Sequence, residues 1–247
     1  MAVRTRCTLT RRRQGKTITT RGLFKHLRSK RQAGALLAHE AIYNRIAGGA
    51  LERLAALSDG VFAFAMTLLV LDIHVPSMGA VHSEAQLWRA LVALLPRFVM
   101  YAMSFLTLGI FWIGQQTQLN QLTRATRDLA WLHIWFLAAV AIMPFSTTLL
   151  AEFIEYRTAL LIYWSNVLFL GIILYCTWGY AKRAHLTSKE TTPDIEASID
   201  RRIVTAQSLY ALGALLCLLN TYWSIGFIFL VQLYYAVAPS FRRSARS

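Results

Sequence analysis

The chain has 247 residues, of which 56% are hydrophobic and 15% charged, and it carries a formal net charge of +14. Its mean hydropathy is +0.43. A soluble domain is about 45–50% apolar and about 25% charged, so this composition excludes an ordinary soluble fold and predicts an all-α polytopic membrane protein.

Residues 1–45 form the first unit in chain order. Basic residues run from Arg4 to Arg31 and no acid precedes Glu40. Scattered Thr and Ser without apolar periodicity predict a disordered cytoplasmic tail. It has no apolar h-region of a secretory signal. Its arginine-rich character is shared by organelle transit peptides, and it can also be sequence upstream of a natural start. The favoured reading is attraction to anionic lipid headgroups, worth about 1 kcal/mol per basic residue near the surface. Nucleic acid is not expected as a partner, because no aromatic residues interleave with the charges.

Residues 46–240 read as one membrane domain. A spanning helix needs about 20 apolar residues, and six runs qualify, near 53–74, 97–119, 129–151, 158–181, 203–220 and 222–239. The amphipathic stretch "SEAQLWRALVALL" before Pro96 predicts a short interfacial helix leading into the second span. The last two spans form a hairpin about Asn220, Thr221 and Tyr222. Residues 241–247 are a short basic tail. With six spans, Arg124 and Arg127, the segment from Lys182 to Arg202, and Arg242, Arg243 and Arg246 share a side with the N-terminus. The opposite side carries His74, His82, Glu84, Glu152, Glu155 and Arg157 and leans acidic. The positive-inside rule then places both termini in the cytoplasm.

No Walker loop, HExxH, paired CxxC or GxSxG occurs, and the histidines show no ligand spacing. Cys7, Cys176 and Cys217 are scattered and fit neither a disulfide framework nor a metal site. The sequence does not predict an enzyme or a cofactor.

The informative stretch is "RLAALSDGVFAFAMTLLVLDI", Arg53–Ile73. An ionisable group inside a span is costly unless paired, so Asp59 marks a functional site by default. At about 100° per residue, Leu57, Val61, Thr67, Leu68 and Leu71 all fall within about 60° of Phe64, while Ser58 and Asp59 lie on the back. Asp59 therefore points into the bundle or a neighbouring subunit. The second span reaches its depth near Trp112, Gln115 and Gln116, and the third near Trp131 and His133. These side chains offer the donors a carboxylate needs, and they predict one buried polar cluster locking three helices. On pattern alone the Phe64 stripe reads best as a packing face. In a symmetric oligomer such a face can also ring an axis and gate by dewetting.

"RLAALSDGVFAFAMTLLVL" closely resembles the first-helix signature of the transmembrane protein 175 family, the lysosomal and prokaryotic potassium channels. Arg53, Ser58, Asp59, Gly60, Ala63, Thr67, Leu68 and Leu69 match it. Looser agreement continues through "MSFLTLGIFWIGQQ", "LAWLHIWFLAAVAIMPFSTTLLAEF" and "YWSNVLFLGIILY", covering about residues 50–240. The resemblance implies a six-helix subunit that assembles as a homotetramer, with first helices lining a central pore in a bacterial inner membrane. It implies a hydrophobic constriction at Phe64, Leu68 and Leu71, a selectivity-linked hydroxyl at Thr67, and a polar network at Arg53, Ser58, Asp59 and Trp112. Gln115, Gln116 and His133 complete the candidate network. The implied ligand is the permeant potassium ion. The chain departs from the pattern at Leu57 (an aromatic in the family), Phe64 (isoleucine), Gln115–Gln116 (a histidine pair) and His133 (asparagine). A secondary transporter, with Pro144 as a candidate helix break, and a non-conducting membrane protein of the same fold are the alternatives.

Overall fold

The structure is a computed structural model and describes residues 51–76 and 81–244; the expectations for residues 1–45 lie outside these. Among the described residues seven helices follow one another: α1 (Leu51–Leu71), α2 (Glu84–Ala93), α3 (Leu95–Leu119), α4 (Arg127–Glu152), α5 (Arg157–Arg183), α6 (Pro193–Leu216) and α7 (Thr221–Ser244). Helix α1 packs on α3 and α4, α4 on α5, α5 on α6 and α6 on α7, and α7 returns to α3.

Local sequence explains the starts of three helices. The Ser83 hydroxyl accepts from the Gln86 N–H at 3.3 Å and caps α2. Thr126 caps α4 in the same way through Leu129 N at 3.3 Å. A small hydroxyl at this position satisfies one of the donors a helix start leaves free. Helix α6 begins with Thr192 as its cap, Pro193 at the first position, and Asp194 and Glu196 in the first turn. Proline is preorganised there and acids complement the helix dipole.

Helices α1, α3, α4 and α5 are each long and apolar enough to cross a membrane. Helices α6 and α7 do not reach that measure among the described residues, so the expectation of six spans is met at four. The fifth run, expected near 203–220, starts at Pro193. Its cap and acidic first turn begin the helix in polar sequence, where hydropathy sees only a loop. Arg201 and Arg202, expected in that loop, are helical. Helix α4 runs unbroken through Pro144, which leaves the expected transporter-like break without a helix interruption.

The main core joins Phe62 and Leu69 of α1 with Met103 and Leu108 of α3, Phe136 and Val140 of α4, and Tyr163 and Leu170 of α5. A second cluster closes the end that holds the α3–α4 and α5–α6 loops: Leu54, Leu129, Trp178, Ala181, Leu186 and Ile199. There the two loops clasp each other. Thr123 N donates to Leu186 O at 2.9 Å and Ser188 N to Gln121 O at 2.7 Å. The clasp fixes the ends of α3, α4 and α5, and with them the level at which their polar side chains meet α1.

Candidate functional site

Helix α1 has two faces. Its buried residues are Leu54, Ser58, Phe62, Ala65 and Leu69, the three-and-four spacing of a single helical face. The opposite face is left open by this subunit. Phe64 is 65% exposed and Leu71 67%. Leu57 and Thr67 are exposed too, and Leu68 is half-buried. The Thr67 hydroxyl donates to the Phe64 carbonyl at 2.8 Å. This uses its one proton along the helix and leaves an oxygen lone pair facing outward.

The polar residues divide into two groups rather than one buried cluster. On the surface of the subunit, Asp59 Oδ1 accepts from Trp112 Nε1 and from Gln116 Nε2, each at 2.7 Å. Asp59 is exposed, so within one subunit it points to the side and not into the bundle. One residue earlier the helix turns inward. The buried Ser58 hydroxyl donates to Gln115 Oε1 at 2.7 Å, and Gln115 Nε2 lies 3.2 Å from His133 Nε2. With the amide nitrogen as donor, the imidazole Nε2 is the acceptor of this contact. Adjacent residues on α1 meet adjacent residues on α3, giving an exposed arm and a buried arm. Arg53 is exposed and joins neither. Trp131 is exposed and is not part of the cluster either.

Two further polar groups are present that the sequence reading did not single out. Beyond the end of α1, the Asp72 carboxylate accepts from the Thr148 hydroxyl of α4. In the core, Thr147 bonds Ser104 at 2.7 Å, Tyr163 lies 3.0 Å from Thr107, and Gln232 Nε2 donates to Thr107 at 2.6 Å. The available signal was a lone amide in an apolar run, Gln232 in "FIFLVQLYY". Polar residues in spans seek one another because lipid offers no partner. Among the described residues no three His, Cys, Asp or Glu side chains come together as a metal site.

Residues 53–144, which contain both arms and the open stripe, match the family described as "Endosomal/lysosomal potassium channel TMEM175". A potassium channel of Streptomyces collinus is 41% identical over 103 residues, covering 42% of this chain and 48% of the relative. The chain thus spans about half the length of that relative. A potassium channel of Chamaesiphon minutus is 29% identical over 190 residues, covering 75% of this chain and 93% of the relative. The human endosomal/lysosomal proton channel TMEM175 is 39% identical over 98 residues, 38% of this chain and 19% of that one. Among solved structures, the lysosomal potassium-selective channel TMEM175 homolog from Chamaesiphon minutus aligns with a TM-score of 0.65 at 26% identity. That alignment covers 76% of this chain and 97% of the other. These relatives are described as channels, and this chain, an integral multi-pass membrane protein, resembles the TMEM175 family over residues 53–144.

Proposed function

We propose that the protein is a potassium-permeable channel in which the α1 helices of identical subunits, a tetramer by family resemblance, surround a central pore. One observation carries the reading. Asp59 is exposed on the α3 side of the subunit surface, about 12 Å along α1 from Leu51 at 1.5 Å per residue and about 140° around the helix from Phe64. A carboxylate at that depth cannot be left against hydrocarbon. It needs a neighbouring subunit or water to cover it, which supports an α1–α3 surface that faces another subunit or water in the assembly. The relatives described as potassium channels supply the permeant ion.

In this reading Phe64, Leu68 and Leu71 form the apolar constriction, and the ring they make gates by dewetting. Thr67 presents its free lone pair between them. Asp59, Trp112 and Gln116 hold the rotational setting of α1, with Ser58, Gln115 and His133 behind them. Both termini lie on the cytoplasmic side of a bacterial inner membrane, with α6 and α7 completing six membrane helices. The basic tail meets anionic headgroups.

The test is potassium flux from liposomes containing the purified full chain, as wild type, Phe64→Ala and Asp59→Asn. Wild-type flux that rises several-fold in Phe64→Ala is expected. An intact tetramer with no flux in either protein would leave the family fold without conduction and sink the channel reading.

A further inference from the structure

Away from α1, a cavity of about 60 Å³ lies between α3, α5, α6 and α7. Ile110, Phe111, Leu174 and Ile203 make its apolar walls, and Arg202 stands at its exposed rim. Two of its lining side chains carry buried polar atoms with no hydrogen-bond partner, Gln207 Oε1 and the hydroxyl of Tyr210. Tyr210 is only 2% exposed. It neighbours Gln232 and Thr107 but reaches neither at hydrogen-bond geometry, and Gln232 Oε1 is a third buried atom without a partner. Two other polar groups of the lining are already engaged, while Arg202 and Tyr235 also border the cavity. The Thr117 hydroxyl donates to Ile113 O at 2.7 Å and Gln118 Nε2 to Leu174 O at 3.2 Å.

Buried polar atoms in folded proteins are almost always paired, with ordered water where protein groups do not reach. A water needs about 10–15 Å³ of such space and two to four polar partners. The cavity therefore has room for about four to six waters, and it supplies acceptors and a hydroxyl at one end and a guanidinium at the other. Its walls contain no Asp or Glu, and Arg202 repels cations at the mouth. The chemistry selects neutral hydroxylic molecules over the permeant ion.

We propose that each subunit holds its own ordered-water site in this cavity, running from the Arg202 rim to Gln207, Tyr210 and the edge of the Gln232–Thr107 pair, separate from the α1 stripe. The site is built into the backbone at Gly171. A Cβ there would lie 1.9 Å from Gln207 Nε2, so only glycine lets the Gln207 side chain lodge against α5.

Radiolytic hydroxyl-radical footprinting of the full chain in detergent tests the site, because bound water generates radical next to the residues it touches. With rates normalised to intrinsic reactivity, Tyr210 should oxidise at least tenfold faster than Phe136, which is equally buried in the core. Ile203→Trp fills the cavity and should bring Tyr210 down to the Phe136 rate. Exposed Tyr222 and Trp223 should stay unchanged as evidence that the fold is kept. Tyr210 oxidising no faster than Phe136 in the wild type would overturn the site, as would full labelling in a folded Ile203→Trp. Where Ile203→Trp does not fold, Gln207→Leu decides. A wet site predicts slower Tyr210 labelling and a lower melting temperature. A dry one predicts a higher melting temperature, because an unpaired acceptor has been removed.

Discussion

Trp112 donates its indole N–H to Asp59 Oδ1 at 2.7 Å, across the seam between α1 and α3. The same oxygen takes a second donor from Gln116, one turn further along α3. Trp112→Phe keeps the ring and removes one of two charge-assisted bonds. Such bonds are worth about 1.5–3 kcal/mol when buried. Asp59 is exposed within a subunit, so a loss of about 1 kcal/mol is expected for the isolated fold. The larger effect should fall on assembly, read as a shift of the tetramer towards monomer in native gels. In a double-mutant cycle, Trp112→Phe should have little further effect once Asp59 is Ala. Additive losses would show that the indole acts elsewhere.

The buried arm obeys different energetics. Gln115→Leu removes one residue but strands two polar groups, the Ser58 hydroxyl and His133 Nε2. Each unpaired buried group costs about 1–3 kcal/mol, so a loss of about 2–6 kcal/mol in unfolding free energy is expected. Replacing all three partners, as Ser58→Ala, Gln115→Leu and His133→Phe together, should recover most of that loss, because no polar group is then left unpaired. Thermal unfolding of the wild type, Gln115→Leu and the triple variant in one detergent measures it. A triple variant no more stable than Gln115→Leu would mean that packing, not pairing, sets the cost.

These two arms also show what pattern reading could and could not deliver. Helical geometry separated the Phe64 stripe from Ser58 and Asp59, and helix direction brought Trp112, Gln115, Gln116 and His133 to the right level. A wheel drawn for one helix could not say that Ser58 turns inward while Asp59 stays at the surface. That depends on where α3 and α4 pack, and neighbouring residues only 100° apart can fall on opposite sides of that seam. The start of α6 was missed for a related reason. Thr192, Pro193, Asp194 and Glu196 are polar, so hydropathy left them in a loop, yet together they are a strong helix start. Of the core bonds of Ser104, Thr107, Tyr163 and Gln232, only the lone amide of Gln232 stood out in the sequence; which residues it meets depends on how α3, α5 and α7 pack, and that is not legible in any one apolar run.

Thr67 gives the third prediction. Its proton is committed to the Phe64 carbonyl at 2.8 Å, so the group it offers outward is an acceptor, suited to a cation shedding water. Thr67→Val keeps shape and helix but removes the oxygen. The potassium-to-sodium permeability ratio should fall about threefold, equivalent to roughly 0.6 kcal/mol, while Thr67→Ser should retain it. Bi-ionic reversal potentials on reconstituted protein give the ratio directly. Equal ratios in wild type and Thr67→Val would remove Thr67 from selectivity.

The hairpin of α6 and α7 depends on a single small residue. At Gly213 an added Cβ would sit 2.5 Å from Ile228 Cγ1 and 3.3 Å from Phe227. The Gly213 carbonyl also accepts from the buried Ser224 hydroxyl at 2.5 Å, so the two backbones are held close by a bond as well as by packing. Gly213→Ala must move α7 or force Ile228 off its rotamer, and overpacking of this kind costs about 1–3 kcal/mol. Glycine raises no strain of its own here, since it is helical, and alanine would otherwise favour the helix by about 1 kcal/mol. The clash must exceed that gain for the variant to be destabilised. Ile228→Ala in the Gly213→Ala background removes the atom that collides, and it should restore stability above that of Gly213→Ala alone, even though Ile228→Ala by itself is destabilising. That sign reversal, measured by thermal unfolding of the four proteins in the cycle, identifies the contact. Two substitutions that simply add would place the constraint on Gly213 in its backbone bond to Ser224 rather than in the Ile228 side chain.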